Sequence, residues 1–368
     1  MMKLNKKFKI KKLIYVLLIF TVMLSGCAHI NIRDMWFKDY KSARKQMESE
    51  LPKNISERIN RLIVDNQYSG TIYINYKGKE YKNAYGFQNI DGKIRNDNDT
   101  MYLVGSANKF ITALMIKKLE KQHKISLNDL VVNYIPAFPN KQATVMDLLL
   151  HKSGLKPYEP APTVNSLEQS IAQINQVGLD ASKIGIYKYN DANYITLAKI
   201  LEVVTHVPYE TNLENMIVKP YHLEHTGTSK NTVLQSHFAE GMQFKNGKLN
   251  KVEATQPSAF YGAGDLYMSP SDYAKVVNAF KTYHVFDRAT TLKMLNYTEI
   301  KQRYRYGMHV KRGYYRTRGY LYAQDLLCLF NKDYTIVIAT NKVGVKGKLS
   351  NSQMMEGIKK ILLKSKIK

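Results

Sequence analysis

Met101-Tyr-Leu-Val-Gly105-Ser106-Ala-Asn-Lys109-Phe110 is the stretch on which the fold turns. It begins as a short apolar strand, turns at a glycine and enters a helix with Phe110, Leu114, Met115 and Leu119 on its apolar face. Residues three apart on a helix share a face, so Ser106 and Lys109 project side by side. A serine hydroxyl is a weak nucleophile until a base takes its proton. A lysine amine can be that base if desolvation or another cation removes its own proton. Backbone N–H groups at a helix start can hold a developing oxyanion. Ser-x-x-Lys occurs four times, at Ser42, Ser106, Ser153 and Ser365. Only Ser106 stands between a strand-like run and an apolar-faced helix. Ser106 is therefore the expected nucleophile and Lys109 the expected general base.

Outward from this stretch, strands and helices separate by period. Residues 51–67 put Ile55, Ile59, Leu62 and Ile63 on one face of a helix. Residues 69–85 alternate with period two around Lys77-Gly78-Lys79 and predict a hairpin. A helix is expected over 107–123. A loop-rich and helical middle, a subdomain over about 124–255, follows. A second hairpin is expected from Leu321–Phe330 and Tyr334–Asn341, and a closing helix over 349–364. Strands, a helical insertion, strands and a last helix predict an α+β fold: an antiparallel sheet with helices packed on it and an α-helical subdomain.

The chain has 368 residues, 55 Lys and Arg against 30 Asp and Glu, and a formal charge of +25. Its apolar and charged fractions are those of a globular protein, which excludes a disordered chain, a coiled coil and a collagen-like repeat. Two cysteines make neither a disulfide framework nor a four-thiolate zinc site. The nine histidines show no paired metal spacing, and no metal or cofactor is implied. Residues 1–12 hold six lysines and no acid, and Leu13–Leu24 is apolar or small throughout. That is a charged n-region and a short h-region, too short for a comfortable membrane span. Leu24-Ser25-Gly26-Cys27 resembles the bacterial lipobox. Residues 1–26 are thus expected to be a lipoprotein signal peptide, Cys27 the lipidated residue, and 27–50 the anchor and stalk. The domain proper is expected over 51–368, on the outer face of the cell membrane. Loss of the six leader lysines takes the charge from +25 to +19. Such a surface needs an anionic neighbour. No nucleic-acid motif is present, and an exported lipoprotein meets anionic lipid or wall polymer instead. Cys328, in an apolar run, is expected to be a buried thiol with no catalytic part.

Three further blocks carry a family resemblance. They are Thr144-Val-Met-Asp147-Leu-Leu-Leu-His151-Lys-Ser153-Gly154-Leu155, Tyr189-Asn190-Asp191-Ala-Asn193-Tyr194, and Tyr261-Gly262-Ala263-Gly264-Asp265-Leu266-Tyr267-Met-Ser269-Pro270-Ser271-Asp272. With Ser106-x-x-Lys109 they resemble, in order, the motifs of the serine β-lactamase and penicillin-binding-protein superfamily on its class C and esterase side. The resemblance spans about residues 65–365 and implies the β-lactamase/transpeptidase-like fold. It implies that Tyr189 shuttles the serine proton together with Lys109. It also implies that His151 is structural, bonded to backbone in a turn, that Asp147 braces a helix, and that Asp265 and Tyr267 line the pocket. A third motif, Lys-Thr-Gly or His-x-Gly in the family, corresponds to Arg316-Thr317-Arg318-Gly319-Tyr320, with an arginine in place of Lys or His. Arg318, Gly319 and Tyr320 are the expected substrate and oxyanion residues.

The second motif departs from the family. Tyr-x-Asn becomes Tyr189-Asn190-Asp191, so an amide donor is replaced by a carboxylate that, ionised, only accepts. A carboxylate near Lys109 raises the lysine pKa and repels an anionic substrate. This pattern, with its flanks, resembles the staphylococcal FmtA-type branch, membrane-associated proteins linked to methicillin resistance and to removal of D-alanyl esters from teichoic acid. The resemblance implies a membrane-anchored serine hydrolase acting on D-alanyl esters of teichoic acid or another anionic wall polymer. The alternatives are a D,D-carboxypeptidase or low-affinity penicillin-binding protein, and a non-catalytic lipoprotein that binds wall polymer.

Overall fold

The computed structural model describes residues 47–296 and 300–365. Cys27, the leader and nearly all of the expected stalk lie outside the described residues. The chain opens with strand β1 (Glu48–Ser49), helix α1 (Lys53–Asp65) and the hairpin β2 (Gly70–Tyr76) and β3 (Lys79–Tyr85). Strand β4 (Tyr102–Leu103) leads into α2 (Asn108–Lys121). Helices α3 (Val145–Leu149), α4 (Leu167–Val177), α5 (Asp191–Thr205) and α6 (Tyr209–Leu213) follow. Then come β5 (Thr226–Gly227), β6 (Gly241–Lys245), β7 (Lys248–Val252), β8 (Tyr267–Met268), α7 (Pro270–Lys281) and α8 (Arg288–Leu295). The last third holds β9 (Tyr304–Arg305), β10 (Met308–Lys311), β11 (Tyr314–Leu321), β12 (Gln324–Phe330), β13 (Tyr334–Thr340), β14 (Lys342–Val343) and α9 (Asn351–Lys364).

Eight strands form one antiparallel sheet in the order β1-β3-β2-β13-β12-β11-β10-β9. Its central strands are apolar at nearly every position because both faces are covered. Alternate residues serve opposite layers. Ile336, Ile338, Leu327 and Leu329 pack with Ile59 of α1 and Ile358 of α9. Val337, Ala339, Cys328 and Phe330 pack with Phe110 of α2, Tyr194 of α5 and Tyr273 of α7. Each such fully buried side chain contributes about 1.5–3 kcal/mol. The Cys328 thiol is buried in this layer, and burial pushes its pKa up, as expected of an inert core residue.

Three boundaries differ from the sequence reading. Glu48–Ser49 pairs with Tyr81 and Lys82, so the end of the expected stalk is the sheet's outer strand. Leu321–Phe330 is not one strand. It breaks at Tyr322 and Ala323, both in the left-handed region, and becomes the β11–β12 hairpin. The end of the expected helical subdomain holds strands β5, β6 and β7, in small sheets ordered β4-β8-β5 and β14-β6-β7, with a 3-10 helix at Thr232–His237 between β5 and β6.

Two features position the site. Strand β8 pairs with β4 and brings the Tyr261–Asp272 block beside the entrance to α2. Strand β10 covers β11 only from Tyr314 to Arg316, so Thr317–Leu321 keep one edge without a strand partner among the described residues. The single turn Gly105–Ala107 packs on that edge.

Candidate active site

Ser106 lies in the tight turn that starts α2, and Lys109 follows one turn on. Gly105 makes the turn with φ +52°, a conformation that costs other residues energy. The Lys109 Nζ is 3.2 Å from Ser106 Oγ, 2.9 Å from the carbonyl oxygen of Ala263 and 2.6 Å from Asp191 Oδ1. Lys109 is fully buried. Three acceptors around one nitrogen match the three N–H groups of an ammonium. The electrostatics agree. Burial works to lower the lysine's pKa, but Asp191 first and Tyr189 second outweigh it, and the net direction is upward. This bears on the expected general base: at rest Lys109 keeps its proton.

Tyr189 comes from the segment just before α5 and donates its hydroxyl to Ser106 Oγ at 2.7 Å. Asn190 caps α5 by accepting from the Ala192 N–H, which makes Asp191 the helix's first residue. The Asp191 side chain is 30% exposed, so one carboxylate both anchors Lys109 and meets solvent. The Tyr189 ring stacks on His151 with centroids 4.6 Å apart, and Tyr304 closes on both. His151 accepts the Asn190 N–H on Nδ1 at 3.1 Å, with φ +55°. Burial, helped by the Lys109 charge, holds the imidazole neutral. It is a wedge that fixes the turn carrying Tyr189. Asp147 completes a capping box with Thr144 at the start of α3.

The β11 edge forms the opposite wall. A cleft of about 260 Å³ is lined by Ser106, Tyr189, Tyr304, Arg316, Arg318 and Tyr320, among others. A Cβ on Gly319 would stand 1.9 Å from the Val104 carbonyl oxygen and 2.4 Å from the Ser106 nitrogen. A Cβ on Gly105 would stand 2.9 Å from the Tyr320 nitrogen. Only glycines allow these two backbones to meet so closely.

The expected third motif needs a correction in its side chains. Two places before Gly319 stands Thr317, not an arginine. It is buried and accepts the Tyr273 hydroxyl at 2.8 Å. The arginines flank it. Arg318 is held by Asp325 through two bonds of 3.1 and 2.8 Å. The Arg316 guanidinium has no hydrogen bond or ion pair among the described residues, and its Nε is buried. Asp265 and Tyr267 do not line the cleft. Asp265 is fully buried and accepts the Ser229 N–H, with burial raising its pKa to about 6. Tyr267 stacks on Phe238. From that block it is the carbonyl of Ala263 that reaches the site.

Sequence reasoning missed Tyr304, Gly307 and His309, which also line the cleft. The run Tyr304-Arg305-Tyr306-Gly307-Met308-His309 was their available signal, a glycine and aromatics just ahead of the β11 motif. Burial first, then Arg316 and Lys311, lowers the His309 pKa to about 4, so it is neutral at neutral pH. Among the described residues no group of His, Cys, Asp and Glu is arranged to hold a metal ion.

Comparison with known proteins gives the family. The Beta-lactamase family model matches residues 57–355. A teichoic acid D-alanine hydrolase of Staphylococcus aureus (strain MRSA252) is 34% identical over 293 residues, 78% of this chain and 74% of that protein. The crystal structure of FmtA from Staphylococcus aureus superposes with a TM-score of 0.80 at 31% identity, covering 85% of this chain and 89% of that one. A penicillin-binding protein from Bacillus halodurans has the same fold, with a TM-score of 0.71 at 19% identity over 82% of this chain and 99% of its own. The chain belongs to the β-lactamase family, and within it is a serine hydrolase.

Proposed function

We propose that this protein hydrolyses D-alanyl esters of teichoic acid, by an acyl-enzyme on Ser106, while anchored in the membrane through lipid on Cys27. The observation that carries the reading is Asp191, 2.6 Å from the buried Lys109 that contacts Ser106, with its side chain 30% exposed. A D-alanyl ester has a free ammonium beside its carbonyl and no carboxylate of its own. A carboxylate beside Lys109 favours that acyl group and disfavours a peptidoglycan stem, which ends in a carboxylate. The 34% identity to a protein named teichoic acid D-alanine hydrolase supports the same substrate. The charge of +19 left once the six leader lysines are removed suits a phosphate polymer.

In this mechanism Ser106 Oγ attacks the ester carbonyl. Its proton passes to the Tyr189 oxygen 2.7 Å away as Tyr189 hands its own hydroxyl proton to the polymer oxygen, so the tyrosine stays neutral, and the Lys109 ammonium, 3.2 Å from Oγ, steadies the negative charge that develops. The N–H groups of Ser106 and Tyr320 hold the oxyanion. The tetrahedral intermediate collapses, the polymer oxygen leaves with the proton from Tyr189, and the alanyl group stays on Ser106. Water then attacks the acyl carbonyl, Tyr189 takes its proton and returns one to Ser106, and D-alanine is released.

The test compares three substrates on the full chain: D-alanyl glycerol ester, its N-acetyl derivative and a D-alanyl-D-alanine stem peptide. The free-amine ester is expected to turn over at least tenfold faster than the N-acetyl ester, the difference one lost charge contact makes. Faster cleavage of the stem peptide would replace this reading by a D,D-carboxypeptidase.

Gly319→Ala bears on the oxyanion wall. The added methyl cannot fit 1.9 Å from the Val104 oxygen, so β11 must move away from Ser106. Loss of one donor costs about 10²–10³ in kcat, and steady-state kinetics on the glycerol ester should read that loss in kcat with a smaller change in KM.

A further inference from the structure

The catalytic cleft holds an arginine that the mechanism leaves unused. Its lining includes two arginines and no carboxylate. Asp325 takes up Arg318 through two bonds. Arg316 is half-buried, its Nε is shut off from solvent without a partner, and its guanidinium makes no hydrogen bond or ion pair among the described residues. His309, across from it on β10, is neutral at neutral pH and does not offset the charge. Withdrawing a cation from water without a counter-ion costs stability, and an anion entering the cleft removes that cost. The place of Arg316 on its strand says which part of a substrate it meets. It is the last residue of β11 that pairs with β10, so it stands where the open edge begins. Gly319, where β11 meets the Ser106 turn, is three residues further on, about 10 Å of strand. Arg316 therefore lies beside the reacting ester and not over it. One glycerol phosphate unit and an arginine side chain bridge that span together.

We propose that Arg316 binds the phosphodiester next to the scissile ester and so selects an ester carried on a phosphate polymer. The proposal rests on the esterase reading above and adds to it recognition of the leaving group. In a glycerol phosphate repeat the carbon that bears the alanyl ester is bonded to a carbon that bears a phosphodiester, so an anion lies close to the bond being cut. A guanidinium offers two parallel N–H groups to two phosphate oxygens, which a lysine ammonium cannot do. Arg316 then grips the polymer, which leaves, and not the alanyl group, which stays on Ser106. The alanyl-enzyme is the same whether or not the ester carried a phosphate. The contribution of Arg316 therefore falls on acylation, which kcat/KM reads, and not on hydrolysis of the acyl-enzyme.

The experiment measures kcat/KM of the full chain in detergent on D-alanyl glycerol ester and on the same ester with a methyl phosphodiester on the adjacent carbon. Wild type, Arg316→Gln and Arg316→Lys are compared. Taking the ratio of the two values within each protein cancels any difference in the fraction that is folded. Wild type is expected to favour the phosphodiester by about tenfold or more. Arg316→Gln should bring that ratio to about one, and Arg316→Lys, which keeps the charge and loses the fork, should leave it between the two. Added salt should shrink the preference of wild type and leave that of Arg316→Gln unmoved. A wild-type ratio of about one, or a ratio that Arg316→Gln leaves at the wild-type value, with both esters cleaved, overturns the assignment of Arg316 and leaves the esterase reading intact. Failure of wild type to cleave either ester overturns both. Turnover of a D-alanyl-D-alanine stem peptide that is then lost in Arg316→Gln would give Arg316 the peptide's carboxylate instead.

Discussion

Ser106→Ala is expected to lower ester turnover by about 10⁴-fold or more while leaving polymer binding in place. The Ser106 hydroxyl is the one oxygen that both Tyr189 and Lys109 reach, at 2.7 and 3.2 Å. With alanine there, Lys109 keeps Asp191 and the Ala263 carbonyl, so the buried ammonium is still satisfied. The fold should therefore survive, and thermal unfolding should change by no more than a few degrees. The loss lies in chemistry rather than binding. The same variant mixed with D-alanylated teichoic acid should sediment with the polymer as wild type does. Equal turnover in variant and wild type would remove Ser106 from the mechanism.

The second large effect belongs to Asp191→Asn. It restores the Tyr-x-Asn pattern of the wider family and takes away the anion beside Lys109. Burial then dominates, and the lysine pKa moves down from its raised position. The sign for stability follows from the same shift. A lysine whose folded pKa is raised adds stability that is fully present below its unfolded pKa. That stability is lost as pH rises through the folded value. The wild type is thus protected into the alkaline range, and the variant is not. Turnover of the free-amine ester should fall by about 10²-fold, and the alkaline limb of kcat/KM should move toward neutral pH. Acylation by penicillin should increase, because the carboxylate that repels the drug's own carboxylate is gone. Intact-protein mass after incubation with penicillin reads that gain. A variant with undiminished ester turnover and an unmoved alkaline limb would remove Asp191 from the site.

Much of this was legible in the sequence because the relevant signals are local. The two-residue period of Gly70–Tyr85 and the apolar face of α2 specify their elements with no help from the rest of the chain. Ser106 and Lys109 meet because a helix puts them one turn apart. Tyr189 reached the site only through the resemblance of its block, since nothing local distinguishes it among 27 tyrosines. What escaped was decided by tertiary contact. Whether Arg316 or Arg318 is the free cation depends on Asp325, which lies across the β11–β12 hairpin. Thr317 faces the core because β11 alternates about Gly319, and that glycine faces inward to meet Ser106. Asp265 looked like a pocket residue after a glycine-rich turn, yet the β8 pairing buries it behind the site. The contact of Lys109 with the Ala263 carbonyl spans 154 residues and has no local signal.

The acyl-enzyme is the claim on which all of this rests, and acid-quench mass spectrometry tests it most directly. The full chain is mixed with D-alanylated teichoic acid, quenched within the first turnovers and digested. The account predicts one alanyl adduct, on the peptide that contains Ser106, absent from Ser106→Ala. D-alanine released by wild type with the adduct on another residue, or released equally by Ser106→Ala, would contradict it.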